Sequence, residues 1–67
     1  MIFRPGQRVA AIYDVPASRP FEISVVKGGI YEVEAFDEEL GSLTLIGDRP
    51  RRWLSALGFR PEKEARR

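Results

Sequence analysis

The carboxylates are the residues of this chain best suited to chemistry, because the sequence contains no histidine and no cysteine. That composition excludes disulfides, thiolate nucleophiles, Ser-His-acid triads and nearly all zinc, copper or iron sites. Glu32 and Glu34 share one face of a predicted strand, but we expect that face to be exposed, whereas a general acid needs a buried carboxyl. The acidic run at 37–39 lacks the ligand spacing of a calcium loop. We therefore expect no enzyme, no metal site and no cofactor.

A group of arginines around the single tryptophan is the other candidate site. Residues 48–67 carry a net charge of +4, whereas residues 1–47 sum to −3. In a nucleic-acid interpretation the arginines would contact phosphates and the tryptophan would stack on a base. The residues concerned are Arg49, Arg51, Arg52, Trp53 and Arg60. Because strand alternation separates Arg51 from Arg52 and the pI is only about 8.2, weak, sequence-independent nucleic-acid binding is kept as the alternative function.

The candidate site residues must be positioned by short segments in which apolar and polar residues alternate, separated by glycine and proline. Apolar side chains at 31, 33 and 35 alternate with Glu32 and Glu34, and similar alternation occurs at 9–13 and 43–45. No stretch repeats apolar residues at helical spacing, and turn residues recur about every ten positions. The pattern predicts an all-β fold. A small five-stranded antiparallel barrel is the economical arrangement, because closure removes exposed sheet edges.

The turn residues also set the expected boundaries of each element. We expect strands at residues 7–13, 30–36, 42–46, 51–54 and 59–60. The predicted core consists of Val9, Ala11, Ile23, Val25, Tyr31, Val33, Leu43, Leu45 and Phe59. A long loop at 14–26 ends in a Lys-Gly-Gly turn at 27–29, and one 3₁₀ turn at 55–57 precedes the last strand. Residues 1–61 would form a single domain, and 62–67 a frayed charged tail too short for a stable helix.

Three segments carry a resemblance to a known family. The Ala-Ile-Tyr-Asp of 11–14 is similar to the Ala-Leu-Tyr-Asp-Tyr signature of Src-homology-3 domains, and the Glu-Ile-Ser-Val-Val-Lys-Gly-Gly-Ile of 22–30 resembles their diverging turn. Residues 53–61 resemble the family's final strand, 3₁₀ turn and strand, and are closer still to small bacterial and phage proteins of this barrel type. The resemblance covers residues 5–61 and implies a Src-homology-3-like barrel of bacterial or phage type.

The sequence departs from the family pattern at the aromatic residues that bind the family's ligand. The second signature tyrosine is Val15, and no aromatic residue lies between Phe36 and Trp53, where the family has a tryptophan pair. Those aromatic residues build the proline-peptide groove of the family, so the resemblance implies the fold without that ligand. We expect a non-enzymatic, cytoplasmic protein-interaction or scaffolding module, in which Tyr13, Arg49 and Trp53 contact a protein or peptide.

Each of these residues also has a purely structural interpretation. Tyr13 would then seal one end of the barrel, and Trp53 would fill the core. A second copy of the chain is another candidate partner, because a small domain gains stability by covering apolar surface, and Phe36 and Ile46 are the expected dimer contacts. The longest apolar run spans only residues 9–13, so we expect no signal sequence, no membrane-spanning helix and no membrane partner.

Overall fold

In the computed structural model, which describes residues 2–65, the chain forms five short β-strands. They are β1 (Arg8–Ala11), β2 (Ile30–Asp37), β3 (Ser42–Leu45), β4 (Leu54–Ser55) and β5 (Phe59–Pro61). A 3₁₀ turn, η1 (Ala56–Gly58), joins β4 to β5, and one helical turn, α1 (Glu62–Ala65), follows β5. The predicted all-β fold is confirmed, as is a 3₁₀ turn before the last strand. Within residues 2–65, no helix has the length and apolar character needed to cross a membrane.

All five strands belong to one antiparallel sheet with the order β4-β3-β2-β1-β5. In β1, Val9 lies opposite Tyr31 of β2 on one side and opposite Pro61 of β5 on the other. The two edge strands, β4 and β5, are consecutive in the chain and are connected through η1. The hydrogen-bonded sheet is therefore open, because β4 and β5 do not pair with each other. The two edge strands are joined only through the 3₁₀ turn η1.

A β-bulge interrupts the pairing of β2 with β3. Val33 lies opposite Leu45, but Ala35 lies opposite Thr44, so Glu34 is an additional residue on β2. An additional residue reverses the inward and outward alternation of the positions that follow it. The face assigned from strict alternation is therefore correct before the bulge and inverted after it.

Phe36 shows the effect of this inversion. It packs against the core, and its ring meets Phe3 edge-on, with 6.0 Å between the ring centroids and 85° between the ring planes. The expectation that Phe36 lies on the outer face as a dimer contact is wrong, because that expectation assumed a regular strand. Ile46, the other expected contact, is exposed.

The core lies between the inward face of the sheet and the long loop. Its buried members are Phe3, Val9, Ala11, Val25, Val33, Leu43, Leu45, Leu54, Ala56 and Phe59, and Val15, Ile23, Tyr31 and Phe36 pack partly against it. Every predicted core residue is therefore buried or packed against the core. Phe3, Leu54 and Ala56 were not predicted, since none of them belongs to a recognisable alternating segment.

The long loop folds back on itself. Val15 and Val25 exchange two backbone hydrogen bonds of 2.8 Å, so the outgoing and returning arms of the loop lie side by side. The loop closes where the Gly28 amide donates to the carbonyl of Ala11 at 2.8 Å, and Gly28 has a φ of 86°. The glycine turn predicted for 27–29 therefore has the positive φ that favours glycine.

Several predicted boundaries differ from the observed ones. The fourth strand begins at Leu54 and not at residue 51, because the two preceding arginines form ion pairs outside the strand ladder. The tail begins as the α1 turn, and its first residue, Glu62, lies 3.0 Å from the guanidinium of Arg8. Residues 66–67 of the tail lie outside the described part of the chain, and the fraying of the tail stays a prediction.

Candidate functional site

Trp53 lies on the outer side of the sheet. Leu54, the next residue, points into the core, so Trp53 faces the opposite way and is 51% exposed. Of the two interpretations of Trp53, the one in which it fills the core is therefore wrong. Its indole remains available for contact with another molecule.

An open groove runs beside η1. It has a volume of about 310 Å³ and is lined by Ile12, Tyr13, Ser55, Leu57 and Gly58. We call this set of residues the η1 groove. Leu57 is 85% exposed, and Ile12 and Tyr13 are each 39% exposed. Three large apolar side chains thus meet solvent side by side, which is the kind of patch that marks an interaction site.

A glycine determines where Tyr13 lies. A Cβ atom at Gly58 would overlap the Tyr13 ring, so the ring occupies space that only glycine leaves open. The ring also meets Phe59 edge-on, with a centroid separation of 6.4 Å, and the amide of Ile12 donates to the Gly58 carbonyl at 2.9 Å. Tyr13 therefore covers part of the core with one edge and lines the groove with the rest.

The backbone of η1 is held in place beneath Leu57. Ser55 caps the turn, its Oγ accepting from the Leu57 amide at 3.3 Å, and the Ala56 amide donates to the Gly41 carbonyl at 2.8 Å. Ala56 itself is buried. The turn is thus anchored on its inner side, and this anchoring directs Leu57 into solvent.

Opposite charges lie at the two ends of the η1 groove. Glu38 and Glu39 border a hollow that shares Ser55 and Leu57 with the groove. Lys27 and Arg60 border another hollow on the side of Ile12. The groove is therefore apolar along its length, acidic at one end and basic at the other.

Arg49 and Arg51 share a single carboxylate on the outer face of the sheet. Glu34, the bulged residue, accepts from Arg49 Nη2 at 3.1 Å and lies 2.8 Å from Arg51 Nε. The backbone amide of Arg49 also donates to the carbonyl of Phe21 at 2.9 Å, which holds this turn against the long loop. Glu34 thus offsets much of the positive charge that both arginines bring to this face.

Arg52 has a different environment, since it is partly buried against the fully buried Asp48. Its guanidinium binds both carboxylate oxygens of Asp48, with Nε 2.9 Å from Oδ2 and Nη2 3.0 Å from Oδ1. It also donates to the backbone carbonyls of Ile23 at 2.6 Å and Pro16 at 3.2 Å, and its Nε lies 3.6 Å from Glu22. We call Glu22, Asp48 and Arg52 the buried ion network. These bonds connect both arms of the long loop to the turn that follows β3.

The ionisation of this network follows from its contacts. Burial alone would raise the pKa of Asp48, but the Arg52 hydrogen bonds, the Ile23 amide and the Arg52 charge together hold that pKa below its ordinary value. Hydrogen bonds from the amide and hydroxyl of Ser18 lower the pKa of Glu22. Asp48 and Glu22 are therefore charged in the folded protein at neutral pH, and their role is to fasten the loop.

The four arginines of the nucleic-acid interpretation do not all lie on one surface. Arg49 and Arg51 bind Glu34, Arg52 belongs to the buried ion network, and Arg60 is exposed near Ile12. The prediction that Arg52 reaches an external phosphate does not fit its position, because its donors bind internal acceptors. Arg49 and Arg51 thus lie together on the outer face, whereas Arg52 turns toward the buried Asp48 and Arg60 lies on β5.

The predicted protein-binding residues are also divided. Tyr13 lines the η1 groove, whereas the guanidinium of Arg49 is held on the outer face by Glu34. Trp53 is exposed and does not line the η1 groove. Leu57 was not predicted as a site residue. Its only sequence signal is its position between two small residues in a predicted 3₁₀ turn.

A metal site or a similar protein of known function would be a further indication of what this chain does. Among residues 2–65, no three histidine, cysteine or acidic side chains are grouped so that they could hold a metal ion. Comparisons of the chain with protein-family models, with curated proteins and with solved structures found no match. The assignment of function therefore depends on the chain's own geometry.

Proposed function

We propose that this chain is a non-enzymatic protein-interaction module whose η1 groove binds an apolar segment of a partner protein. The observation that carries the proposal is the exposure of Leu57 beside Ile12 and Tyr13, on a turn whose backbone is anchored from below. Covering apolar surface is favourable by roughly 25 cal/mol per Å². A preformed turn adds to affinity, because little conformational entropy is lost when the partner binds.

We infer that the five strands form a Src-homology-3-like barrel, of the type found in small bacterial and phage proteins. The strand order supports this inference, because η1 connects the two edge strands directly. The Gly28 turn and the Tyr13 segment support it as well, since both lie where the resemblance expects them. A cytoplasmic location belongs to the same proposal.

The charges at the ends of the η1 groove define the chemistry of the partner segment. A basic residue of the partner would face Glu38 and Glu39, and an acidic residue would face Lys27 and Arg60. Such exposed charges contribute more to orientation and association rate than to affinity. The partner segment is therefore expected to have an apolar centre with charges of opposite sign on either side.

Selection of peptides from a random displayed library, with the wild-type chain as bait, tests this function. Selected peptides should shift the amide resonances of Ile12, Leu57 and Gly58 of the labelled protein. Leu57→Ala should weaken peptide binding by about tenfold or more, because it removes the most exposed apolar side chain of the groove. Phe21→Ala is the matched control, since Phe21 is 77% exposed but lies on the long loop. Equal affinities for wild type and Leu57→Ala would overturn the proposal.

A titration with short single- and double-stranded oligonucleotides, at two salt concentrations, tests the alternative function. The dispersal of the arginines predicts no salt-dependent shifts at residues 49–60. A salt-dependent response that decreases in Arg51→Ala would instead support nucleic-acid binding, because each lost phosphate contact lowers the salt slope by about one unit. That result would count against the peptide-binding proposal.

A further inference from the structure

A second exposed apolar surface lies on the outer side of β3 and β4, apart from the η1 groove. Leu45 and Leu54 are buried, so their chain neighbours Ile46 and Trp53 point outward, where they are 48% and 51% exposed. The Ile46 amide donates to the carbonyl of Glu32 at 3.0 Å, which places Ile46 beside β2. These side chains have no part in the groove that binds the proposed peptide.

The charged residues around this surface are balanced in sign. Arg49 and Arg51 bind Glu34, and Glu32 is exposed on the same side of β2. Two cations and two carboxylates therefore surround the two apolar side chains. We call this surface the outer-face patch; it consists of Glu32, Glu34, Ile46, Arg49, Arg51 and Trp53.

The balance of positive and negative charges favours a second copy of the chain over a nucleic acid as the partner of the outer-face patch. In a two-fold symmetric interface, the same surface meets itself, so a surface of one sign would repel its copy. A neutral surface with both signs can place each arginine near a carboxylate of its copy. A nucleic acid, in contrast, needs an excess of positive charge, which Glu32 and Glu34 remove.

We propose that the outer-face patch is the contact surface between two copies of this chain. Tryptophan and arginine are enriched at the centres of protein interfaces, and Ile46 and Trp53 each adjoin a buried residue of the paired strands β3 and β4. A domain of 67 residues also buries a smaller fraction of its surface than a larger protein does, so self-association adds the burial that one copy lacks. The dimer leaves the η1 groove of each copy open, and it does not depend on the peptide-binding proposal.

Sedimentation equilibrium between about 10 μM and 1 mM tests the proposal, because this range covers the dissociation constants of weak dimers. The wild-type chain should form a dimer. Trp53→Ala should raise the dissociation constant by about tenfold or more, and Leu57→Ala should leave it unchanged. Ile46→Ser is the second test variant; it keeps Trp53, whose fluorescence reports that the fold is intact.

Three results would overturn the proposal. The first is a monomeric wild-type chain throughout this range. The second is dissociation of the dimer by Leu57→Ala as effectively as by Trp53→Ala, which would place the contact at the η1 groove. The third is an oligonucleotide complex, rather than a dimer, that is lost in Trp53→Ala.

Discussion

Arg51 and Arg52 are neighbours in the chain, yet their environments are opposite. The side chain of Arg51 is 51% exposed and binds one carboxylate, that of Glu34, on the outer face. The side chain of Arg52 is 18% exposed and binds Asp48, which is completely buried, together with two carbonyls of the long loop. Exposed ion pairs contribute about 0–1 kcal/mol to stability, whereas breaking a buried pair costs about 3–5 kcal/mol. Of two consecutive arginines, Arg51 therefore contributes charge to the outer face, and Arg52 stabilises the fold.

The largest effect of this difference is expected for Arg52→Ala. The substitution leaves the Asp48 carboxylate buried without its cation, and it also removes the bonds to the Ile23 and Pro16 carbonyls. We expect the free energy of unfolding, measured by urea denaturation, to fall by about 3–5 kcal/mol. For a domain whose total stability is on the order of 5 kcal/mol, much of the protein would then be unfolded in water. A loss below about 1 kcal/mol would mean that the buried ion network does not hold the loop.

Acid should weaken the buried ion network, because its two carboxylates must be charged to bind Arg52. The pKa values of Asp48 and Glu22 are lower in the folded than in the unfolded chain, so their stabilising contribution is complete above the unfolded values. It is lost as the pH falls through the folded pKa values, which lie below the ordinary values of these side chains. The free energy of unfolding should therefore be constant near neutral pH and decrease in this acid range.

The matched pair Asp48→Asn and Asp14→Asn tests this assignment by thermal unfolding between neutral pH and pH 3. Asp48→Asn should flatten the acid decrease, because the titrating carboxyl is gone. Asp14→Asn should leave the decrease unchanged, since Asp14 is exposed and only accepts the Lys27 amide at 2.7 Å. Identical acid profiles for Asp48→Asn and the wild type would place the titrating group elsewhere.

The smallest effect is expected for Arg51→Ala. Its ion pair with Glu34 is exposed on the arginine side, and Arg49 still binds the same carboxylate in the variant. We expect the free energy of unfolding to change by less than about 1 kcal/mol, measured in the same urea experiment as Arg52→Ala. A loss as large as that of Arg52→Ala would show that the outer-face pair supports the fold as well.

The fold was predictable wherever a strand is regular. Alternation around Val33 and Leu45 identified the core face correctly, because a half-buried strand repeats every two residues. It failed at Phe36, since the bulge at Glu34 depends on how β2 pairs with β3 and leaves no local signal. Phe3 was missed for a similar reason, because it lies outside every strand and is buried only by residues distant in sequence.

The candidate sites were less predictable than the fold. Tyr13 and Trp53 were identified from residue type, but their division between two surfaces depends on the turn after β3. Asp48 and Arg52 resemble solvated surface charges in the sequence, and only the returning long loop buries them. Leu57 could not be identified by alternation, because η1 is not a strand.

The pairing of β1 has a consequence for how the chain folds. Val9 is adjacent to Pro61 across the sheet, although most of the sequence lies between them, whereas β2 and β3 are joined by a short turn. Closing so long a loop costs chain entropy before any contact compensates for it, and such non-local pairings slow folding. The β2–β3 hairpin can therefore form early, whereas the edge of β1 that pairs with β5 has no partner until β5 forms. Until then, the backbone groups along this edge of β1 can hydrogen-bond to another extended chain. The protein concentration during refolding should therefore influence the yield of folded protein.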